Sequence, residues 1–403
     1  MRRVPAFLRK ILLSAVLVAL AGTPLAEAAP RGSAAQSSAE QQSASSKKIS
    51  KKSAAATAVP DDSEGELFDG KEELPGENFA AAWPGVTRIA DMLPARTVQS
   101  GPEEWIYETQ HFRFVSDAPL ALAAVKEIAR IFEGAREANL ALPLNSPCNH
   151  FQVSEKGRFV AQLFEKYSDY LAAGGIENTA GVFVRREWSV NGVVIESGMQ
   201  NGRVLVPFLS LGLEKRGNRF VRAGKKIEAK TLVHEITHHM TVPGANFPLW
   251  LAEGLAEYVG VSYDGNGRTN FSGNKAAISK YVSSYGEKGT GGRALGKNPK
   301  ISVSLEQFLT SEKFAGTQSS QVNYGVSLLL VYYFFHLDGK RDAARIKKYI
   351  DALHKGAAPA QAADFLRDGR TWPQLEKEIC RRLKGALKVE PQFAAPSSAD
   401  SPF

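Results

Sequence analysis

The chain has 403 residues, with 50 Lys and Arg against 42 Asp and Glu and a formal net charge of +8. Residues 1–60 alone hold nine of the basic and two of the acidic side chains, so the remainder is close to neutral and no basic stripe for nucleic acid is expected on it. The two cysteines, Cys148 and Cys380, stand far apart without ligand-type neighbours, which argues against a cysteine metal site and leaves open whether they pair or remain separate thiols.

Residues 1–28 read as a signal peptide. Arg2, Arg3, Arg9 and Lys10 form a cationic start, Ile11 to Ala21 is small and apolar, and Ala26-Glu27-Ala28 fits a cleavage site. The apolar run is shorter than the roughly 20 residues a bilayer requires, so no stable membrane anchor is expected after cleavage. The chain is therefore expected to be exported, to the periplasm or beyond.

Residues 29–102 read as a linker and arm. Pro30 to Pro60 is Ala, Ser, Gln and Lys with almost no large apolar residues, a composition that cannot offset chain entropy by burial. The acidic stretch Asp61 to Glu77 has the same solvated character. Residues 79–102 carry Trp83, Ile89, Met92 and Leu93, and either pack as an arm or stay outside the fold.

The foldable unit is placed at 103–388. In 103–241 strand and helix signals alternate: a strand at Phe112–Val115, an amphipathic helix at Leu120–Leu140, a short strand at Phe151–Val153 and a helix near Arg158–Leu171. Gly181 to Ile195 holds two β-branched and aromatic runs divided by Asn191-Gly192, a strong hairpin signal, and Arg203–Phe208 reads as a further strand. After Lys225 the pattern is almost wholly helical, so 242–388 forms a helical lower subdomain. Residues 389–403 read as a Pro/Ser/Ala tail. The expected class is α+β, with a strand-rich upper half and a helical lower half.

The sharpest local pattern is His234-Glu235-Ile236-Thr237-His238. On a helix, residues four apart project from one face, so both imidazoles can reach one zinc ion while Glu235 emerges beside them as a base. Ile227 to Met240 contains no glycine or proline, and Pro243-Gly244 stops the helix. A hydrolytic zinc site takes three protein ligands and one open position. A second helix after the turn can bring Glu253, within Trp250-Leu251-Ala252-Glu253-Gly254-Leu255-Ala256-Glu257-Tyr258, to the metal as the third ligand. Glu257 lies one turn further and can accept the other ring N–H of a ligand histidine. Histidines 111, 150, 239, 336 and 354 lack ligand spacing and are read as structural or surface residues.

These two motifs resemble the gluzincin metallopeptidases, the group that contains thermolysin and aminopeptidase N, and the small bacterial peptidase-MA-like proteins within it. The run at 250–258 is similar to a W-L-x-E-G-x-A pattern whose glutamate before glycine is the third ligand, which implies Glu253 rather than Glu257. The resemblance implies a zincin-like fold with the HExxH helix at the junction of the two halves, a Zn2+ cofactor and a peptide or protein substrate. It also implies a tyrosine or histidine from a later helix to stabilise the oxyanion; Tyr324 is the candidate, and an ordinary core tyrosine is the competing reading. Gly198-Met199-Gln200-Asn201 resembles the amine-gripping G-x-M-E-N strand of aminopeptidases, but glutamine removes the pairing charge, so the segment is read as a turn after a strand and argues against a standard aminopeptidase.

The implied reaction is peptide hydrolysis, with Glu235 as general base and an edge strand from 181–208 supporting the substrate backbone. The rival is a gluzincin-like binding module of the cell envelope with little turnover. A closed structural zinc site is less consistent, because no fourth ligand is apparent.

Overall fold

The computed structural model describes residues 83–89, 93–101, 104–144, 158–184, 188–190, 193–196, 202–224, 227–241, 247–283, 292–316 and 318–395. Four strands come first: β1 (Val86–Arg88), β2 (Arg96–Ser100), β3 (Trp105–Glu108) and β4 (Phe112–Ser116). Then come α1 (Leu122–Leu140), β5 (Phe159–Phe164), α2 (Tyr167–Ala172), β6 (Val182–Val184), β7 (Trp188–Val190), β8 (Val193–Glu196), β9 (Arg203–Pro207), β10 (Leu213–Arg216) and β11 (Arg219–Arg222). The second half holds α3 (Ala229–Thr241), α4 (Leu249–Ser262), β12 (Tyr263–Gly265), β13 (Arg268–Asn270), α5 (Lys275–Ser283), β14 (Lys300–Ile301) and α6 (Leu305–Thr310). It closes with α7 (Ser320–His336), α8 (Ala344–His354), α9 (Pro359–Arg367), α10 (Trp372–Leu387) and β15 (Gln392–Phe393). The architecture is mixed α and β with several sheets, in keeping with an α+β class.

The main sheet has six strands in the order β2-β3-β4-β5-β9-β6. Its centre, β4-β5-β9, is parallel; β2 and β3 are antiparallel at one side and β6 at the other, where it forms an edge. Alternation along β4 sends Phe112 and Phe114 inward and leaves Arg113 and Val115 half-buried. Phe132 of α1 meets both phenylalanine rings edge-on, at 5.3 and 5.1 Å, and α3 lies on the same face through His239 against Phe159 and Phe183. One buried core continues from this face through α3, α4 and α7 to Ile379 and Val389.

Three sequence expectations are corrected. Residues 159–164 form a strand rather than the start of a helix; only 167–172 is helical. Strand β5 lies between two parallel partners and is buried along most of its length, so its apolar run lacks the alternation that separates strand from helix. The fold also begins before residue 103: Trp83 packs among Tyr258, Phe271, Phe335 and His336, β1 pairs with β13, and β2 joins the main sheet. At the other end β15 pairs in parallel with β14, so residues to Phe393 belong to the fold rather than to a tail. The hairpin of β7 and β8 pairs Val190 with Val193, as the Asn191-Gly192 signal implies. The expected signal peptide and tether, the 151–153 strand, residues 198–201, Cys148 and His150 lie outside the described residues. Cys380 donates its S–H to the carbonyl of Pro391 at 3.1 Å. Among the described residues no helix is long and apolar enough to cross a membrane.

Helix α4 positions the site. It is buried on every side, between α3 and α7, which explains its nearly uniform apolar sequence. Its two glycines permit this. A Cβ on Gly260 would stand 2.9 Å from the Lys230 carbonyl on α3, and one on Gly254 would stand 2.7 Å from the Ser327 carbonyl on α7.

Candidate metal centre

One turn of α3 separates His234 from His238, and their Nε2 atoms lie 3.0 Å apart with the rings nearly perpendicular. From α4, Glu253 brings Oε2 to 3.3 Å from His234 Nε2 and 3.4 Å from His238 Nε2. All three side chains are buried, and Glu253 is fully so. Neither carboxylate oxygen of Glu253 has a hydrogen-bond partner among the described residues. A buried carboxylate left this way is costly, so its retention asks for a cation.

The donor set suits zinc. Two imidazole nitrogens and one carboxylate oxygen are its ordinary ligands, and tetrahedral bonds of about 2.0–2.1 Å hold donors about 3.3–3.4 Å apart. The two spacings to Glu253 match that figure, and the spacing between the rings falls slightly short of it. These are also the residues that among those described form a group able to hold a metal ion.

Around this trio each contact has a definite partner. Glu257, one turn beyond Glu253 on α4, sets Oε1 3.1 Å from His234 Nδ1. It also receives Arg293: Nε donates to Oε2 at 3.0 Å, and Nη2 donates to Oε1. Glu235 turns towards the sheet, where the backbone N–H of Phe183 on the edge strand β6 donates to its Oε2 at 2.9 Å. Tyr324 lies in the second turn of α7, buried, with the Arg293 guanidinium 4.9 Å from its ring centre.

The electrostatics follow from burial and these neighbours. Burial raises the Glu235 carboxyl to about 7, partly opposed by His234, His238 and the Phe183 amide. Burial alone would also raise Glu253 and Glu257. For Glu253 the two histidine rings outweigh it and bring the group down to about 2; for Glu257, Arg293 and His234 do the same and hold it well below the usual carboxylate range. Burial lowers the basicity of His234, but Glu253 and Glu257 overcome this and raise it to about 10. The Tyr324 hydroxyl is pushed up by burial and then by the charge of Glu253, so it stays protonated.

Each sequence-derived residue can thus be located. His234, His238 and Glu253 converge, Glu257 lies against His234 Nδ1, and Glu235 is close enough to both histidines to feel their charge. Among the other histidines, His111 pairs with Glu133 at 2.6 Å and His239 is wedged between Phe159 and Phe183. His336 Nε2 meets the Tyr258 hydroxyl at 2.7 Å, and His354 packs beside Phe247. Two participants were not foreseen, Arg293 and the Phe183 amide. The first stands in a Gly-Gly-Arg-Ala-Leu-Gly stretch without a motif, and the second is backbone, which carries no residue-type signal at all.

Compared with models of known protein families the chain gives no match, and compared with curated proteins it gives none either.

Proposed function

We propose that this chain is an exported zinc-dependent peptidase of the gluzincin kind, with a zincin-like fold, in which His234, His238 and Glu253 hold the metal and Glu235 is the general base. The observation that carries this reading is the convergence of three buried donors, among them a carboxylate that lacks a hydrogen-bond partner among the described residues. A bound zinc ion would supply Lewis-acid polarisation of water and of the scissile carbonyl.

The chain's own groups supply the rest. Glu235, raised to about 7 by burial, is poised to take a proton from the attacking water and pass it to the leaving amine. Its Oε2 is steadied by the Phe183 N–H, which leaves Oε1 for proton transfer. Strand β6 is paired with β9 on one side, so its other edge can accept an extended peptide as an added strand. Tyr324, kept protonated by its surroundings, can donate to the oxyanion.

Two measurements together test the reading. Zinc content of the purified chain should be about one ion, and His234→Ala, His238→Ala and Glu253→Ala should each lower it. Glu235→Gln should keep the zinc while peptide hydrolysis falls by about 10²–10⁴-fold. Hydrolysis unchanged in Glu235→Gln would remove Glu235 from the mechanism. Zinc bound without any hydrolysis would favour the envelope binding module. Export is tested by the amino terminus of the cell-derived protein, expected near Ala29.

A further inference from the structure

We infer that Arg293 is a positioning residue of this centre, which acts through Glu257 to hold His234 in the tautomer whose Nε2 lone pair faces Glu253 and His238. The inference rests on the zinc reading given above.

Arg293 is buried, with 7% of its surface exposed. Its guanidinium grips Glu257 in a fork: Nε reaches Oε2 at 3.0 Å, and Nη2 donates to Oε1, the same oxygen that stands 3.1 Å from His234 Nδ1. The third arm, Nη1, donates to Gln321 Oε1 at 3.1 Å, and the cation lies over the Tyr324 ring. The backbone is held as firmly. Arg293 N–H donates to the Tyr281 carbonyl and Leu295 N–H to the Val282 carbonyl, both at 2.8 Å, which ties the segment to the end of α5. On the α7 side Gly325 makes room, since a Cβ there would come within 3.1 Å of Arg293 Cβ.

The chemistry follows from this fork. A planar bidentate partner fixes the rotation of the Glu257 carboxylate as well as its charge. An anionic oxygen aimed at Nδ1 can only accept, so Nδ1 carries a hydrogen, and when the ring gives up its other proton to bind a metal it is Nε2 that offers the lone pair. A purely structural pair would neutralise Glu257 equally well without bearing on the ring of His234. Arg293 therefore governs metal affinity from two contacts away.

The test is a cycle of Arg293→Met, Glu257→Gln and the double variant, with Arg293→Lys as the variant that keeps the charge but loses the fork. Each is stripped with a chelator, checked for folding, and titrated with zinc against a chromophoric competitor. The ¹⁵N signals of the His234 ring are recorded in the zinc-loaded proteins, where the ring is neutral. Expected are losses of zinc affinity of about 10–100-fold in Glu257→Gln and in Arg293→Met, the range seen for partners of ligand histidines. The double variant should lose no more than either single one, because both cut the same link. Arg293→Lys should bind zinc more weakly than wild type and show a mixture of His234 tautomers. If Arg293→Met does not fold, Arg293→Lys and the double variant decide. Wild-type affinity with an unchanged His234 tautomer in Arg293→Lys overturns the inference, as do losses that multiply in the double variant. If wild type binds zinc, these results bear on Arg293 alone. If wild type binds no zinc, the zinc reading falls, and this inference with it.

Discussion

Two glutamates, each buried on a helix, meet opposite circumstances in this molecule. Glu133 of α1 is satisfied: Oε1 accepts from the Thr109 hydroxyl at 2.7 Å and the His111 backbone N–H at 3.1 Å, and Oε2 lies 2.6 Å from His111 Nδ1. Glu253 of α4 is more deeply buried, yet neither of its oxygens has a hydrogen-bond partner among the described residues. Burial of a carboxylate is therefore no functional signal by itself. What separates them is whether the fold completes the hydrogen bonding. Where it does, the group ties α1 to the start of β4; where it does not, the group faces two imidazole nitrogens.

Substitution of both glutamates by leucine breaks the comparison most sharply at the metal. Glu253→Leu should weaken zinc binding by more than the roughly 100-fold that loss of a ligand's outer partner costs, while Glu133→Leu leaves the affinity unchanged. Competition with a chelator measures both. Zinc at about 1,000 times its dissociation constant should then raise the unfolding free energy by about 4 kcal/mol in wild type and in Glu133→Leu, and by much less in Glu253→Leu. Urea unfolding with and without metal checks this.

In zinc-free protein both changes should destabilise, for different reasons. Glu133→Leu strands the Thr109 hydroxyl and the His111 N–H, each worth about 1–3 kcal/mol of lost stability. Glu253→Leu takes the partner carboxylate from the buried rings of His234 and His238, which stand 3.3 and 3.4 Å from it, and breaking such a buried pair should cost about 3–5 kcal/mol. Unchanged stability in Glu253→Leu would mean that the two histidines are neutral without zinc and lose nothing with the carboxylate.

His336 extends the comparison to a histidine outside the centre. Burial lowers it from 6.5 to about 4, and its Nε2 lies 2.7 Å from the Tyr258 hydroxyl. The unfolded chain binds a proton near pH 6.5 and the folded chain only near pH 4. The stability associated with the neutral ring is thus complete above pH 6.5 and declines as pH falls between those values, by up to about 3 kcal/mol. In His336→Phe the decline over that window should be smaller, as urea unfolding at pH 7.5 and 4.5 would show. The smallest effect is expected at Gly254. Its α carbon faces Ser327, so Gly254→Ala should cost about 1–3 kcal/mol by overpacking and shift Glu253 enough to weaken zinc modestly. Calorimetry and zinc titration measure the two parts.

Features set by local periodicity were legible in the sequence alone. Four residues make one turn, so His234 and His238 share a face on any helix, and Glu253 and Glu257 likewise share one. The Asn191-Gly192 hairpin and the alternation along Phe112–Val115 were equally local. What could not be read was every contact that depends on how elements cross. The Phe183 amide lies 52 positions before Glu235, and Arg293 lies 36 positions after Glu257. Neither separation has a period, and neither residue belongs to a motif. Strand β5 escapes the sequence for the same reason: Gln162 alone interrupts its apolar run, and the parallel partners that make it a strand come from distant segments. The approach of α4 to α3 was likewise decided in three dimensions, where Gly260 lets the helices come close enough to place Glu253 against the two histidines. The sequence specified the ligands as residue types on two helices. Packing alone specified that they meet, that neither oxygen of Glu253 has a hydrogen-bond partner among the described residues, and that an arginine from a third segment grips the carboxylate beside the ring of the first histidine.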